Sequence, residues 1–247
     1  YDGSYDYATQ EVSGYIAVGS QQGIAPAASL LDVKITYDDT TAFSESSAIA
    51  GLEWAVEHGA DIILLDVDNL SPSSTTIIYA IETVTSLGAL VVVPAGDYDS
   101  PGGYDDDSIA PYYTINTPAS APSALTVGAT TETDSLWLNS ERGPVPLSEL
   151  SKPDVVAPGV NILTADYKYL TNEDNNPGSW ENSMYYDIFS STATAAAVVA
   201  GTAARLIESF PGASPTAIKL ALRKSATDIG YNEMAQGSGK INLAEAK

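Results

Sequence analysis

The stretch that decides the fold is Phe189-Ser190-Ser191-Thr192-Ala193-Thr194-Ala195-Ala196-Ala197-Val198-Val199-Ala200-Gly201. Its hydroxyl-bearing residues give way to small and apolar residues, a change that predicts a long helix from Ala195 to Ser209. Serine and threonine favour the start of a helix because their side-chain oxygens accept hydrogen bonds from amides that are unpaired there. The stretch therefore predicts a turn that opens a helix rich in small residues.

Outward from this stretch, strand-like and helix-like patterns alternate along the chain. Short apolar runs predict strands at Leu31–Ile35, Ile62–Leu65, Leu90–Val93 and Ala124–Gly128. Amphipathic spacing predicts helices at Ser44–His58, Thr75–Leu87 and from Ser214-Pro215 onward. Such an alternation predicts one α/β domain with a parallel sheet covered by helices on both faces.

Two features mark where these helices end. Gly59 and Gly88 follow the first two helices and predict their stops. Lys219, Arg223 and Lys224 lie toward the end of the third, where cations favour the helix dipole.

The composition excludes several classes of function. The chain of 247 residues holds 32 acidic and 10 basic residues, which gives a formal net charge of -22. This charge argues against nucleic acid and anionic membranes as partners and favours cations and basic proteins. Cysteine is absent, and no apolar run approaches the ~20 residues that a membrane helix needs, so no membrane insertion is expected. The 15 tyrosines suit a protein interface.

Several other segments carry motifs in a fixed order. They are Gly23–Leu30, Ala55–Ile63, Pro94–Asp97, Thr117–Ala129, Lys152–Gly159 and Gln236–Asn242. Together with Phe189–Gly201 they resemble the motifs of the subtilisin-like serine proteases, the subtilase family, over nearly the whole chain. The resemblance implies a three-layer subtilisin-like α/β fold, with a mainly parallel sheet flanked by helices on both faces, and a single domain spanning residues 1–247.

The same resemblance implies that the catalytic positions are degenerate. Ala193 falls on the family's nucleophilic serine, and Ala8 falls on its catalytic histidine. Asp97 replaces the asparagine of the oxyanion hole, where an ionised carboxylate would repel developing negative charge. The family's glycine-containing, substrate-lining segment falls on Asp66, Val67, Asp68 and Asn69. The expectation is a protein that is not an enzyme, with a partly filled cleft.

Two residues could in principle supply a base. Glu11 stands one helical turn from Ala8 if that segment is helical, but it has no serine to activate at Ala193. His58 is the chain's single histidine, and its place in the last turn of a helix favours a structural role.

The family's catalytic aspartate has no counterpart, because only seven residues precede Ala8. Asp2 and Asp6 lie among them, but no apolar strand carries either one. In the family that aspartate ends a central strand of the sheet. Without that strand, the two strands beside it would have unpaired backbone groups. A cleaved N-terminal piece, a strand from a neighbouring subunit, or a longer polypeptide could fill the position.

A loop with several aspartates is a candidate calcium site. Its members are Asp97, Asp99, Asp105, Asp106 and Asp107, and hard cations favour several oxygen ligands at short range. The spacing matches no EF-hand loop, so a solvated acidic loop is the alternative.

The leading hypothesis is a catalytically inactive subtilase that serves as an extracellular or cell-surface module for assembly or protein binding, including filaments. One alternative is a processed or deliberately inactivated fragment of a subtilisin-like endopeptidase. Another is a regulator that binds peptides in the old cleft.

Overall fold

A computed structural model describes residues 4–6, 11–13, 22–36, 43–67, 70, 74–98, 109–148, 150–165 and 186–246. Its strands are β1 (Ser4–Asp6), β2 (Glu11–Ser13), β3 (Ile62–Leu64), β4 (Leu90–Pro94), β5 (Leu125–Thr130), β6 (Val155–Pro158), β7 (Ile162–Ala165) and β8 (Tyr186–Phe189). Its helices are α1 (Glu45–Glu57), α2 (Thr76–Ser86), α3 (Thr192–Ser209), α4 (Pro215–Lys224) and α5 (Glu233–Gln236).

The central sheet is parallel and has the strand order β3-β4-β5-β6. Its register pairs Ile62 with Leu90, and Val92 with Leu125. Helix α2 connects β3 to β4, as expected of parallel neighbours, which need a crossover. The predicted parallel sheet is therefore confirmed.

Strand β4 shows how the three layers form, because all five of its residues are buried. Val91 and Val93 face a core cluster that they share with the inner faces of α1 and α2. Leu90 and Val92 face a second cluster, built with α3 and α4. Alternate residues of a strand point to opposite faces, so one apolar run is covered by helices on both sides. This arrangement confirms the predicted three-layer fold.

The helix ends follow local chemistry. Ser44 and Ser47 form a reciprocal capping box at the start of α1, with both backbone-to-side-chain distances at 3.0 Å. Gly59 and Gly88 have φ of 81° and 114°, which confirms the two predicted stops. Helix α3 begins at Thr192, three residues before the predicted start. In the part of the chain that the structure describes, no helix has both the length and the apolarity needed to cross a membrane.

The predicted strand at Leu31–Ile35 is wrong, although Ile35 packs against the core cluster shared by α1 and α2. Ile35 and Val33 pack against Gly51 of α1, where an added Cβ would come within 2.6 Å of Ile35 Cγ2. Among the described residues no strand pairs with this segment, and β3 pairs with β4 alone. A β-strand needs a neighbouring strand to bind its backbone groups. Without one, a segment with a strand-like sequence does not join the sheet.

Two small antiparallel pairs lie outside the central sheet. Strand β1 pairs with β2, with Asp6 opposite Glu11, and β7 pairs with β8. Asp6 ends β1, a three-residue strand of sequence Ser-Tyr-Asp, which is not the apolar strand that carries the aspartate in the family. Asp2 lies outside the described residues.

Candidate functional site

The turn before α3 is held by the end of strand β6. The Ser191 amide donates to the Gly159 carbonyl at 2.9 Å, and the Asn161 amide donates to Ser190 Oγ at 2.9 Å. A Cβ on Gly159 would lie 2.7 Å from the Ser191 carbonyl oxygen and 2.9 Å from Ala195 Cβ. Glycine is therefore required where the Lys152–Gly159 motif meets the helix.

Ala193 lies in the first turn of α3 and is partly buried. Its amide donates to the hydroxyl of Ser191, the N-cap residue, at 2.9 Å. The side chain is a methyl group, which has no lone pair with which to attack a carbonyl. The position that the sequence assigned to a nucleophile thus lies at a helix N-terminus but holds an inert group.

The side chain of Asp97 binds this same helix end. Its Oδ1 atom accepts hydrogen bonds from the amide and the hydroxyl of Thr192, both at 2.8 Å. The Gly96 amide donates to the same hydroxyl at 3.2 Å. The polar groups of Thr192 are therefore directed to a carboxylate of the chain itself.

This contact decides the electrostatics of the site. The first amides of a helix are unpaired and carry partial positive charge, which makes a helix N-terminus a binding place for anions. Asp97 supplies that anion internally, while Ser191 satisfies the amide of Ala193. An incoming oxyanion would meet a bound carboxylate where it needs donors.

The remaining predicted site residues are only partly described. Asp66 and Val67 follow β3, with Asp66 exposed and Val67 buried. Seven residues lie outside the described part of the chain: Ala8, Asp68, Asn69, Asp99, Asp105, Asp106 and Asp107. Asp97 is thus the one described member of the proposed calcium group, and its side chain accepts hydrogen bonds from Thr192 of α3. Within the described ranges, no group of three or more His, Cys, Asp or Glu residues could hold a metal ion.

Neither candidate base has the expected catalytic setting. His58 caps α1, its Nδ1 lies 2.8 Å from the Trp54 carbonyl oxygen, and its ring stacks on Trp54 at 3.9 Å between centroids. Glu11 lies on strand β2, so its proposed helical spacing from Ala8 is wrong. Glu11 pairs with Asp6 of β1.

A buried ionic cluster lies around Asp154, which sequence reasoning missed. Asp154 Oδ2 lies 2.7 Å from Lys152 Nζ and accepts from the Thr126 amide at 2.9 Å. Asp154 Oδ1 lies 3.1 Å from Lys219 Nζ and 3.8 Å from Arg223 Nε. Lys219 and Arg223 therefore turn toward a carboxylate rather than serving the α4 dipole alone. The signal was present in Lys152-Pro153-Asp154, where two charges precede an apolar strand.

Burial controls the protonation of this cluster. Burial lowers the pKa of Lys152 to about 7, although the carboxylate of Asp154 acts in the opposite direction. Burial alone would raise the pKa of Asp154, but Lys152, Lys219 and the Thr126 amide outweigh it and hold that pKa below its usual value. Lys152 and Asp154 are only 1% and 4% exposed, so the cluster supports the fold rather than an open site.

Comparison with known proteins identifies the family. The model described as "Subtilase family" matches residues 9–240. Subtilisin Savinase of Lederbergia lenta is 33% identical over 224 residues, covering 91% of this chain and 70% of that protein. Subtilisin E of Bacillus subtilis is 30% identical, again over 91% of this chain but only 50% of the relative. The chain thus spans about half the length of several relatives that it matches.

Solved structures agree with this result. Patellamide maturation protease PatA superimposes with a TM-score of 0.69 at 25% identity, covering 92% of this chain and 76% of that chain. Prenylagaramide maturation protease PagA gives a TM-score of 0.63 at 24% identity, covering 86% and 69%, and indicates the fold alone. From the family match, the sequence relatives and the fold together, the chain belongs to the subtilase family.

Proposed function

We propose that this chain is a non-catalytic subtilase that acts as a protein-binding or assembly module. The observation that carries the proposal is the carboxylate of Asp97 bound to Thr192, one residue before Ala193. Acyl transfer by this family needs a hydroxyl, an imidazole and oxyanion donors. Here the aligned residues are Ala193 and Ala8, and the donors of Thr192 are directed to Asp97.

The proposed inactivity is tested by chemical labelling and by turnover. We expect the protein to hydrolyse no fluorogenic peptide and to resist a fluorophosphonate, which labels only activated serines. Ala193→Ser should also remain unlabelled, because the single histidine, His58, is bound to the Trp54 carbonyl at the end of α1. An active subtilisin provides the positive control. Labelling of the unmodified chain, or turnover that copurifies with it, would contradict the proposal.

Among the strands that the structure describes, β3 lies at an edge of the central sheet, and this position supports the assembly part of the proposal. The Asp61 carbonyl and the Leu65 amide both bond to β4, so by alternation the backbone groups of Ile62 and Leu64 face away from it. Leu64 is 40% exposed, and Leu30, just before segment 31–35, is 96% exposed. A strand bound along β3 would satisfy these groups and cover apolar surface.

Hydrogen exchange tests whether this edge is available. In the isolated chain the amides of Ile62 and Leu64 should exchange much faster than that of Leu65, which donates to Val92 at 2.9 Å. Equal protection of all three amides would mean that the edge is already paired. The proposal includes an extracellular or cell-surface setting, which the acidic composition supports.

A further inference from the structure

The edge of the central sheet at β6 is covered by the chain itself. Strand β6 lies at the opposite end of the sheet from β3. The Val156 amide donates to the Gly239 carbonyl at 2.9 Å, and the Ile241 amide donates to the Val156 carbonyl at 3.0 Å. Residues 238–241 therefore lie beside β6 as a short parallel neighbour, and Val156 is fully buried. This segment is called the edge strap below.

A proline blunts the same edge. The Gly159 amide donates to the Thr130 carbonyl of β5 at 3.0 Å, whereas the backbone groups of Val156 face the edge strap. Since successive residues of a strand alternate in direction, position 158 faces the same way as position 156. That residue is Pro158, which has no amide to donate. Both outward positions of β6 are thus closed to a further strand, as is typical of protected sheet edges.

The edge strap is held from both sides. On one side the Ser238 amide donates to the Asp154 carbonyl at 2.9 Å. On the other, Lys240 and Thr227 exchange both of their backbone hydrogen bonds at 2.8 Å. Gly239 has φ of 116°, and a Cβ there would lie 2.2 Å from the Thr227 carbonyl oxygen. Only glycine therefore fits at the centre of the strap.

The edge at β3 has neither device. The backbone groups of Ile62 and Leu64 face away from β4, and neither residue is a proline. Among the described residues, no segment forms a backbone hydrogen bond with these groups. The two edges of the sheet thus differ, because one is covered by the strap and the other is not.

We propose that the edge strap is an autoinhibitory contact that keeps β6 from pairing with a second copy of this chain. Pairing of β6 in one copy with β3 in the next would be a head-to-tail contact, which repeats and builds an open filament. With β6 covered, each copy offers β3 alone, so assembly through the sheet stops at two copies. This inference deepens the proposed assembly function and rests on the open edge at β3.

Hydrogen exchange of the unmodified chain tests whether the edge strap protects β6. The amides of Val156 and Ile241 should exchange at the same rate, because opening of the strap breaks both of their hydrogen bonds together. The Asp154 amide, which donates to the Thr126 carbonyl of β5 at 2.8 Å, should exchange more slowly by about tenfold or more. A Val156 amide that stays protected after the Ile241 amide has exchanged would overturn the inference.

Sedimentation velocity of two glycine variants tests the consequence for assembly. Gly239→Ala displaces the strap, because alanine is strained at this φ and its Cβ would meet the Thr227 carbonyl oxygen. Gly212→Ala is the matched control just after α3, with φ of 86° but no atom within 4 Å of an added Cβ. In ~1 M salt the Debye length falls to about 3 Å, which removes most of the repulsion between copies of net charge -22. Under these conditions Gly239→Ala should form species larger than dimers, whereas the parent and Gly212→Ala should not.

Three sedimentation results speak against the strap. These are a parent chain that grows beyond dimers, a Gly239→Ala variant that exposes the Val156 amide but sediments like the parent, and a Gly212→Ala variant that assembles like Gly239→Ala. Thermal melting checks that each variant folds, and if Gly239→Ala does not fold, the exchange comparison in the parent decides. Slow exchange at Ile62 and Leu64 would contradict the open edge of the proposed function and leaves the comparison of Val156 with Ile241 unchanged.

Discussion

The ionic cluster around Asp154 predicts that Asp154→Asn lowers the free energy of unfolding more than Lys152→Met does. Asp154→Asn keeps the shape of the side chain and an acceptor for the Thr126 amide, but it removes the single carboxylate of the cluster. Lys152 and Lys219, with side chains 1% and 13% exposed, would then face each other without a counter-ion. Lys152→Met instead leaves Asp154 paired with Lys219 at 3.1 Å.

The magnitudes follow from what each change leaves unpaired. Removing one partner of a buried ion pair costs about 3–5 kcal/mol, which we expect for Asp154→Asn. Lys152→Met gives up a hydrogen bond to the Ala124 carbonyl, but Lys219 Nζ also donates to that oxygen at 2.6 Å. Its cost should therefore lie at about 1–2 kcal/mol, since no buried charge is stranded.

Urea denaturation below pH 7, where Lys152 carries its charge, measures both free energies of unfolding. The m-values should stay unchanged, which would show that both variants unfold from comparable native states. An equal loss of unfolding free energy in the two variants, or a larger loss in Lys152→Met, would contradict the conclusion that the single carboxylate of Asp154 pairs with several cations.

Three further predictions concern pH, the helix cap and the turn. Burial lowers the pKa of Lys152 from 10.5 to about 7 in the folded protein, so the unfolded chain binds this proton more tightly and the folded state loses stability as pH falls from 10.5 toward 7. The unfolding free energy of the parent minus that of Lys152→Met should therefore rise with pH in this window, by up to about 1.4 kcal/mol per pH unit. A difference that does not change with pH would contradict the lowered pKa. Asp97→Ala should cost about 0.5–2 kcal/mol in chemical denaturation, as loss of a helix cap does, and a neutral result would mean that the Asp97–Thr192 contact does not stabilise α3. Leu147 has φ of 66°, a left-handed conformation that strains a leucine. Leu147→Gly should stabilise the fold by about 0.5–1 kcal/mol, because removing this strain outweighs the added flexibility of the unfolded chain. A lower melting temperature would show that the Leu147 side chain packs against the fold.

The layered fold could be predicted because its signals are local. Strand β4 is a run of buried apolar residues, and Gly59 and Gly88 stop their helices through backbone freedom that only glycine supplies cheaply. The segment at residues 31–35 shows the limit of such signals. Its alternation does direct Val33 and Ile35 toward Gly51, but a strand also needs a neighbour, and sequence pattern alone does not supply one.

The sequence predicted which residues belong to the candidate site, but it did not predict the hydrogen bonds between them. The motif resemblance located Ala193 and Asp97, and the structure brings Asp97 to the residue next to Ala193. The expectation for Asp97 concerned repulsion of an oxyanion, whereas its observed role is to accept two hydrogen bonds from Thr192. This contact joins residues 95 positions apart, so only the packed sheet and α3 could reveal it.

The contact between Asp97 and Thr192 also bears on how the sequence can change over time. Because the carboxylate satisfies the first turn of α3, replacing Asp97 costs stability before any benefit of an open oxyanion hole appears. Under the proposed non-catalytic function, a serine introduced at position 193 alone would gain no activity and would have no advantage to offset that loss. On that proposal, selection for folding alone would maintain the contact, and a catalytic site would require several substitutions at once.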